Sequence, residues 1–207
     1  MNSLIPIFPL ELVLFPESIY PLHIFEERYK IMINRVFSTG EVFGIVSVIN
    51  SSISKIGCIC KVEKIIRKYN TGEMDIYVKG YERFNTISSS INRDGYFESE
   101  VEPYLDNKSR YSEIIFEVVL SRFTELLSKT DKQPDNFFFN NLNKSNYKSF
   151  KIAEKSGLTL QQQQDLLILK SESERLIYLS NHLDKINKII DSGELNTNII
   201  IGDGYIN

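Results

Sequence analysis

The sequence predicts an α+β protein, in which a small β-barrel with one inserted helix precedes an α-helical bundle. Three observations carry this. Through residue 105 or so, apolar side chains recur at the two-residue period of strands, between clusters of turn residues. After Asp106 the apolar period lengthens to that of helices. Finally, four of the six prolines (Pro6, Pro9, Pro16, Pro21) fall within the first 21 residues, inside a run of Phe, Leu, Val and Ile. Prolines so placed imply strand edges and corners rather than a central ladder.

Each element follows in order. "IFPLELVLF" (7–15) alternates and is rich in β-formers, with Pro9 and Pro16 confining it to edges, strand ends or irregular crossings. A helix is expected from Ile24 to Phe37, where Phe25, Tyr29, Met32 and Val36 form one stripe. Glu26 and Lys30 are spaced as an i,i+4 pair, and Gly40 is placed to stop the helix. "VFGIVSVI" (42–49) reads as a buried strand. "IGCICKVEKII" (56–66) puts Ile56, Cys58, Cys60, Val62 and Ile66 on one side. Asn70-Thr71-Gly72 marks a hairpin turn before Met74, Ile76 and Val78. "KGYERFNTIS" (79–88), with Gly80 at a bend, and "GYFESEVEPYL" (95–105) supply the remaining strands. Several short strands, one helix and proline corners describe a small closed or half-open barrel.

In the second half, Tyr111, Ile115, Val118, Arg122 and Leu126 recur at helical spacing, joined by Ile114, Val119, Phe123 and Leu127. Residues 130–149 are polar, with Phe137, Phe138 and Phe139 as an aromatic anchor for a loop or short helix. Thr159-x-x-Gln162 and Ser171-x-x-Glu174 are capping-box patterns that start helices. Leu176, Leu179, Leu183, Ile186 and Ile190 continue an apolar face in the last helix. The predicted organisation is therefore a barrel over 1–106, a helical subdomain over 107–191 and a tail over 192–207, with Gly202-Asp203-Gly204 as a turn in that tail.

Composition narrows the function classes. The chain is 42% hydrophobic and 25% charged with net charge −3, and its Lys and Arg are dispersed. Nucleic-acid binding needs a concentrated basic surface, which this distribution does not provide. There is no basic leader followed by a cleavage site, and no run of the ~20 apolar residues a membrane helix requires. A cytoplasmic protein without membrane partners is expected. Cys58 and Cys60 are too close for a disulfide framework and read as small apolar residues on one strand face. Only His23 and His182 could add imidazole ligands, so no metal or other cofactor is expected.

No phosphate loop, nucleophile elbow or metal-spaced cluster is present. His23 reads as a local capping or packing residue. Glu26 and Arg28 read as ion-pair and helix-dipole residues, with Arg83 a candidate partner across the barrel. Catalysis is therefore not predicted. An enclosed pocket with a buried carboxylate, such as Glu26 or Glu82, would be the feature that argues for it.

At this point "PIFPLELVLFPESIYPLHIFEERYKIMI" (6–33) resembles the opening of the Lon protease N-terminal domain, or LON substrate-binding domain. The match runs through Pro6, Phe8-Pro9-Leu10, Val13-Leu14-Phe15-Pro16, Pro21-Leu22, Ile24-Phe25-Glu26 and Arg28-Tyr29. "FGIV" (43–46), "IGCIC" (56–60), "DIYVKGYERF" (75–84), "YFESEVEPYLD" (96–106) and "LTLQQQQDLLILKSESERLIYLSNHL" (158–183) continue it in the family's order. Glu17 departs from the family's usual Gly, which points to a different turn. The thiols at 58 and 60 exceed the family's small residues there.

The resemblance implies a PUA-like barrel and a helical bundle, standing alone without the ATPase and Ser–Lys protease modules of a full Lon. It also implies a non-catalytic module that binds unfolded or tagged polypeptides, with a protease or chaperone as further partner. Candidate contacts are apolar side chains expected on the surface around the proline corners: Phe15, Ile19, Tyr20 and Tyr69. An RNA-binding PUA-like module and a small-molecule or enzymatic role in a cleft between barrel and helices remain as alternatives. Self-association through the tail is a further possibility.

Overall fold

The computed structural model describes residues 3–107, 112–130 and 136–193. These form an α+β arrangement of one six-stranded sheet and six helices. The chain divides into two compact units, Met1–Leu105 and Asp106–Asn207. Tyr111 and the tail from residue 194, with its Gly202-Asp203-Gly204, lie outside the described residues.

The first unit contains β1 (Ser3–Leu10), β2 (Ile19–Ile24), α1 (Glu27–Thr39), β3 (Phe43–Ile49), β4 (Ser52–Lys68), β5 (Met74–Ile91) and β6 (Phe97–Pro103). The sheet order is β2-β5-β4-β3-β1-β6, and β5 also pairs with β6, so the pairings run in a ring from β5 back to β5. β1 therefore lies inside the sheet rather than at its margin. Its first half, Ser3–Ile7, pairs with β6, and its second half, Ile7–Leu10, pairs with β3. Pro6 and Pro9 thus each sit where the strand is paired on one side only. There a missing N–H costs no ladder bond.

β2 continues through Ile24, so α1 starts at Glu27, three residues later than the periodicity suggests. Cross-strand pairing with β5 outweighs the helical spacing at positions 24–26. Tyr29, Met32, Ile33 and Val36 are the buried stripe, while Phe25, outside the helix, is 62% exposed. Gly40 ends the helix in the left-handed region, with φ +72°. Lys30 pairs with Glu27 at 2.6 Å rather than with Glu26.

The two faces of the sheet bury different clusters. One brings Phe8, Ile45, Cys58, Cys60, Met74, Ile76 and Val78 together with α1. On the other, Ile5, Ile7, Val46, Phe84 and Val101 pack together. The Phe84 ring fills space that Cβ atoms at Gly44 and Gly57 would occupy, at 2.6 and 2.8 Å. In β4, bulges fall between Val62 and Lys64 and between Ile65 and Arg67. They change the phase of the strand, so Ile65 packs on the core and Ile66 faces out.

Residues 11–18 cross the sheet at Gly80. The Gly80 N–H donates to the Ser18 carbonyl and the Glu17 N–H to the Gly80 carbonyl, both at 2.9 Å. A Cβ on Gly80 would lie 2.3 Å from the Phe15 carbonyl oxygen, so only glycine admits this crossing. The crossing ends with a turn from Phe15 to Ser18, closed by the Ser18 N–H on the Phe15 carbonyl at 3.2 Å. Proline at its second position and a positive φ at its third are the type II pattern. Glu17 takes that third position at φ +66°, so its backbone holds a conformation in which glycine is favoured.

The second unit contains α2 (Glu113–Ser128), α3 (Asn136–Lys144), α4 (Lys148–Ala153), α5 (Leu160–Ile168) and α6 (Glu172–Asp191). On α2 the buried face is Phe116, Val119, Phe123, Leu126 and Leu127, whereas Ile114 and Val118 point outward. Phe138 is the buried member of the aromatic triplet, and Phe137 is exposed. Thr159 and Gln162 make the full reciprocal capping box, while at Ser171 the hydroxyl accepts from the Glu174 N–H. Leu176, Leu179, Leu183 and Ile186 form the buried face of α6.

Arg175 organises this unit and is fully buried. Its Nη1 and Nη2 donate to the two oxygens of Asp106 at 2.9 and 2.6 Å. Nη2 and Nε donate to Glu172 Oε2 at 2.9 and 3.2 Å. It also donates to the Leu169 carbonyl and lies over the Phe150 ring at 4.5 Å.

Candidate binding surface

The register of β2 on β5 sets His23 against Asp75, Pro21 against Tyr77 and Ile19 against Lys79. Because strand side chains alternate, these six share the face opposite to the core residues Ile24, Met74, Ile76 and Val78. Ile19 is 58% exposed and Tyr77 39%, so the face presents apolar and aromatic area among charges. Tyr20 and Leu22 point the other way, partly buried against the core.

A polar cluster closes one end of this face. His23 Nδ1 lies 2.7 Å from Asp75 Oδ1, and the Tyr69 hydroxyl donates to Asp75 Oδ2 at 2.7 Å. Those two bonds, His23 first, hold the Asp75 carboxyl below its ordinary range. The same bond to Asp75 raises the Tyr69 phenol. Arg67 lies over the Tyr69 ring at 4.6 Å, and Phe25 stacks 6.1 Å from the His23 ring. Both carboxylate oxygens of Asp75 are engaged, so the group anchors His23 and Tyr69. At the other end, the Tyr81 hydroxyl donates to Glu63 at 2.7 Å.

The structure thus brings Ile19 and Tyr69 onto neighbouring parts of one surface and leaves Tyr20 half-buried. Phe15 is 3% exposed, in the turn at the Gly80 crossing, so it is an interior side chain and not a surface contact. His23 is a strand residue with an acidic cross-strand partner, not a residue at a helix entrance. Arg28 is the partner of Glu26, with Nη2 to Oε2 at 2.7 Å. Arg83 is buried, its guanidinium 5.0 Å from the Tyr104 ring. Glu26 and Glu82, the carboxylates that enclosure would have made suggestive, are both exposed. Tyr77, on this face, was not singled out from sequence. Its strand is obvious there, but only the partner strand reveals which neighbours it has.

Cys58 and Cys60 are free and buried. Burial pushes the Cys58 thiol up to about 12 and the Cys60 thiol well above its ordinary value, so neither is a thiolate near neutrality. Among the described residues no group of three or more His, Cys, Asp or Glu is placed to hold a metal ion. Nor, among them, is any helix long and apolar enough to cross a membrane.

Two openings interrupt the first unit. A cavity of about 260 Å³ is lined by Ile7, Pro9, Val46 and Phe97 together with parts of β4 and β5. A second, of about 200 Å³, is lined by Ile5, Ile59, Arg83, Phe84 and Val101 among others.

Comparison with known proteins follows this geometry. The family model described as the ATP-dependent protease La (LON) substrate-binding domain matches residues 4–185. Among solved structures, the chain is similar to a Lon N-terminal domain protein from Xanthomonas campestris, at 23% identity and a TM-score of 0.66. That match covers 86% of this chain and 96% of the other. It is also similar to the N-terminal domain of a Mycobacterium avium complex Lon protease, at 15% identity and a TM-score of 0.65. There the match covers 88% of this chain and 98% of the other. At these identities the two structures speak to the fold.

Proposed function

Because the chain belongs to the family of ATP-dependent protease La (LON) substrate-binding domains, we propose that it is a non-catalytic recognition module for unfolded or tagged polypeptides. In this reading it works as an adaptor in proteolysis or protein quality control, passing captured chains to a protease or chaperone. The ring of strand pairings is read as a PUA-like barrel that serves as scaffold.

The observation that carries the proposal is the exposed β2–β5 face. Ile19 and Tyr77 stand proud of it, with Tyr69 and Phe25 close by, all rimmed by His23, Asp75, Lys79 and Glu63. Apolar area with a charged rim suits apolar segments that folded proteins keep inside. Tyr20 and Phe15 contribute from beneath by fixing β2 and the crossing loop.

Titration with reduced, carboxamidomethylated α-lactalbumin, which stays unfolded, tests the reading by fluorescence anisotropy. Saturable binding is expected, weakened about fivefold or more by the double substitution Ile19→Ser with Tyr77→Ser, the equivalent of ~1 kcal/mol or more of lost contact. Absence of saturable binding, or a double variant that binds like the parent, would overturn it.

A further inference from the structure

The β4–β5 ladder stops at Ile56↔Asn85 although both strands continue. Beyond that point β5 is held from behind by β6, from Thr86 through Ile91, and β4 by β3, at Ser52 and Ile53. The cavity of about 260 Å³ lies in the resulting gap, with Ile53, Ser54 and Lys55 as one lip and Thr86, Ile87, Ser88 and Ser89 as the other. Its floor is Ile7, Pro9, Val46 and Phe97. Each lip therefore has a ladder behind it and a bare strand edge in front.

We infer that this gap receives one extended segment of the bound polypeptide as an added strand between β4 and β5. The inference rests on the polypeptide-binding reading and deepens it by naming the binding mode. Three observations select this occupant. Backbone N–H and C=O groups on a bare edge need partners, and a strand supplies them at the right repeat. Two of the free edges also differ in how they are guarded. β2, at the sheet's end, carries Pro21, which blunts pairing, whereas Thr86-Ile87-Ser88-Ser89-Ser90 has neither proline nor charge. Finally, the floor is apolar while only Lys55 among the lining residues is charged. An inserted strand would set alternate side chains on Ile7, Val46 and Phe97, and a carboxylate at its flank would meet Lys55.

Hydrogen exchange on the full chain, read at residue resolution with and without reduced, carboxamidomethylated α-lactalbumin, tests this. Those amides at 53–55 and 86–89 that face the gap, and not the ones already directed at β3 or β6, are expected to slow about tenfold or more at saturation, as ladder bonds form. If the polypeptide saturates but protection appears only around Ile19–Ile24, the added-strand inference falls and the recognition reading stands. If nothing saturates, both fall. If the same amides become protected on raising protein concentration alone, with a dimer seen by light scattering, the gap belongs to a second copy and the polypeptide assignment is wrong.

Discussion

The two units solve the problem of buried polar groups differently. In the first, long ladders pair the strands, and apart from Arg83 and three serines the buried side chains are aliphatic, aromatic and thiol. The second unit, in which three of the helices have nine residues or fewer, buries Glu172, Arg175, Gln164 and Asn187. Two of their bonds serve helix ends. Glu172 accepts the Ser149 N–H at the start of α4, and Arg175 donates to the Leu169 carbonyl at the end of α5. His182 Nε2 lies 2.7 Å from the Ser156 carbonyl just after α4. A helix leaves four N–H and four C=O groups unpaired at its ends, so a unit of short helices needs polar side chains inside. A sheet pairs those groups along its strands instead.

Four measurements would break or sharpen that contrast. The largest effect is expected at Arg175→Met, which strands Glu172 and Asp106 without their cation and should cost about 3–5 kcal/mol. Urea unfolding followed by helical circular dichroism checks this, and a loss below 1 kcal/mol would show that the cluster is not what holds the second unit. In the first unit, Gly80→Ala forces a methyl against the Phe15 carbonyl and should cost about 1–3 kcal/mol. A fully stable variant would mean that the crossing loop moves freely away from β5.

A smaller change of opposite sign is expected at the turn below. Glu17→Gly relieves a left-handed residue and should stabilise by about 1 kcal/mol, seen as a rise in the urea midpoint with unchanged slope.

The smallest effect concerns pH. Burial, the leading cause, lowers the His182 pKa from its ordinary 6.5. The unfolded chain then binds this proton more readily than the folded one, so stability is full above about pH 6.5 and declines as pH falls toward the folded value. His182→Gln should flatten the unfolding midpoint between pH 7 and 5, and an unchanged slope would assign the dependence to other groups.

Much of this was legible from local pattern. Gly40, the Asn70-Thr71-Gly72 hairpin, the Thr159 capping box and the shared face of Cys58 and Cys60 all depend on residues close in sequence. What escaped depends on distant partners. β1 pairs on alternate sides because β3 and β6 divide it, and Ile24 joins a strand because β5 is there. Ile66 turns outward because bulges slip the phase of β4. The Phe15 side chain was expected at the surface from its proline neighbours, yet a crossing loop buries it. Glu17 was expected to change the turn, and the glutamate stands at φ +66°, the conformation that glycine favours. Arg175 left a faint trace in the Glu172-x-x-Arg175 spacing, but nothing nearby announces Asp106, 69 residues away.

The pairing of Ser3 with Val101 has a consequence for the chain's biosynthesis. The first strand made is completed by the last strand of its unit, roughly a hundred residues later. At ribosomal rates of about 5–20 residues per second, Ile5 and Ile7 wait some ~5–20 s for that partner. A nascent recognition module of this shape therefore spends its first seconds as the kind of chain it is proposed to capture.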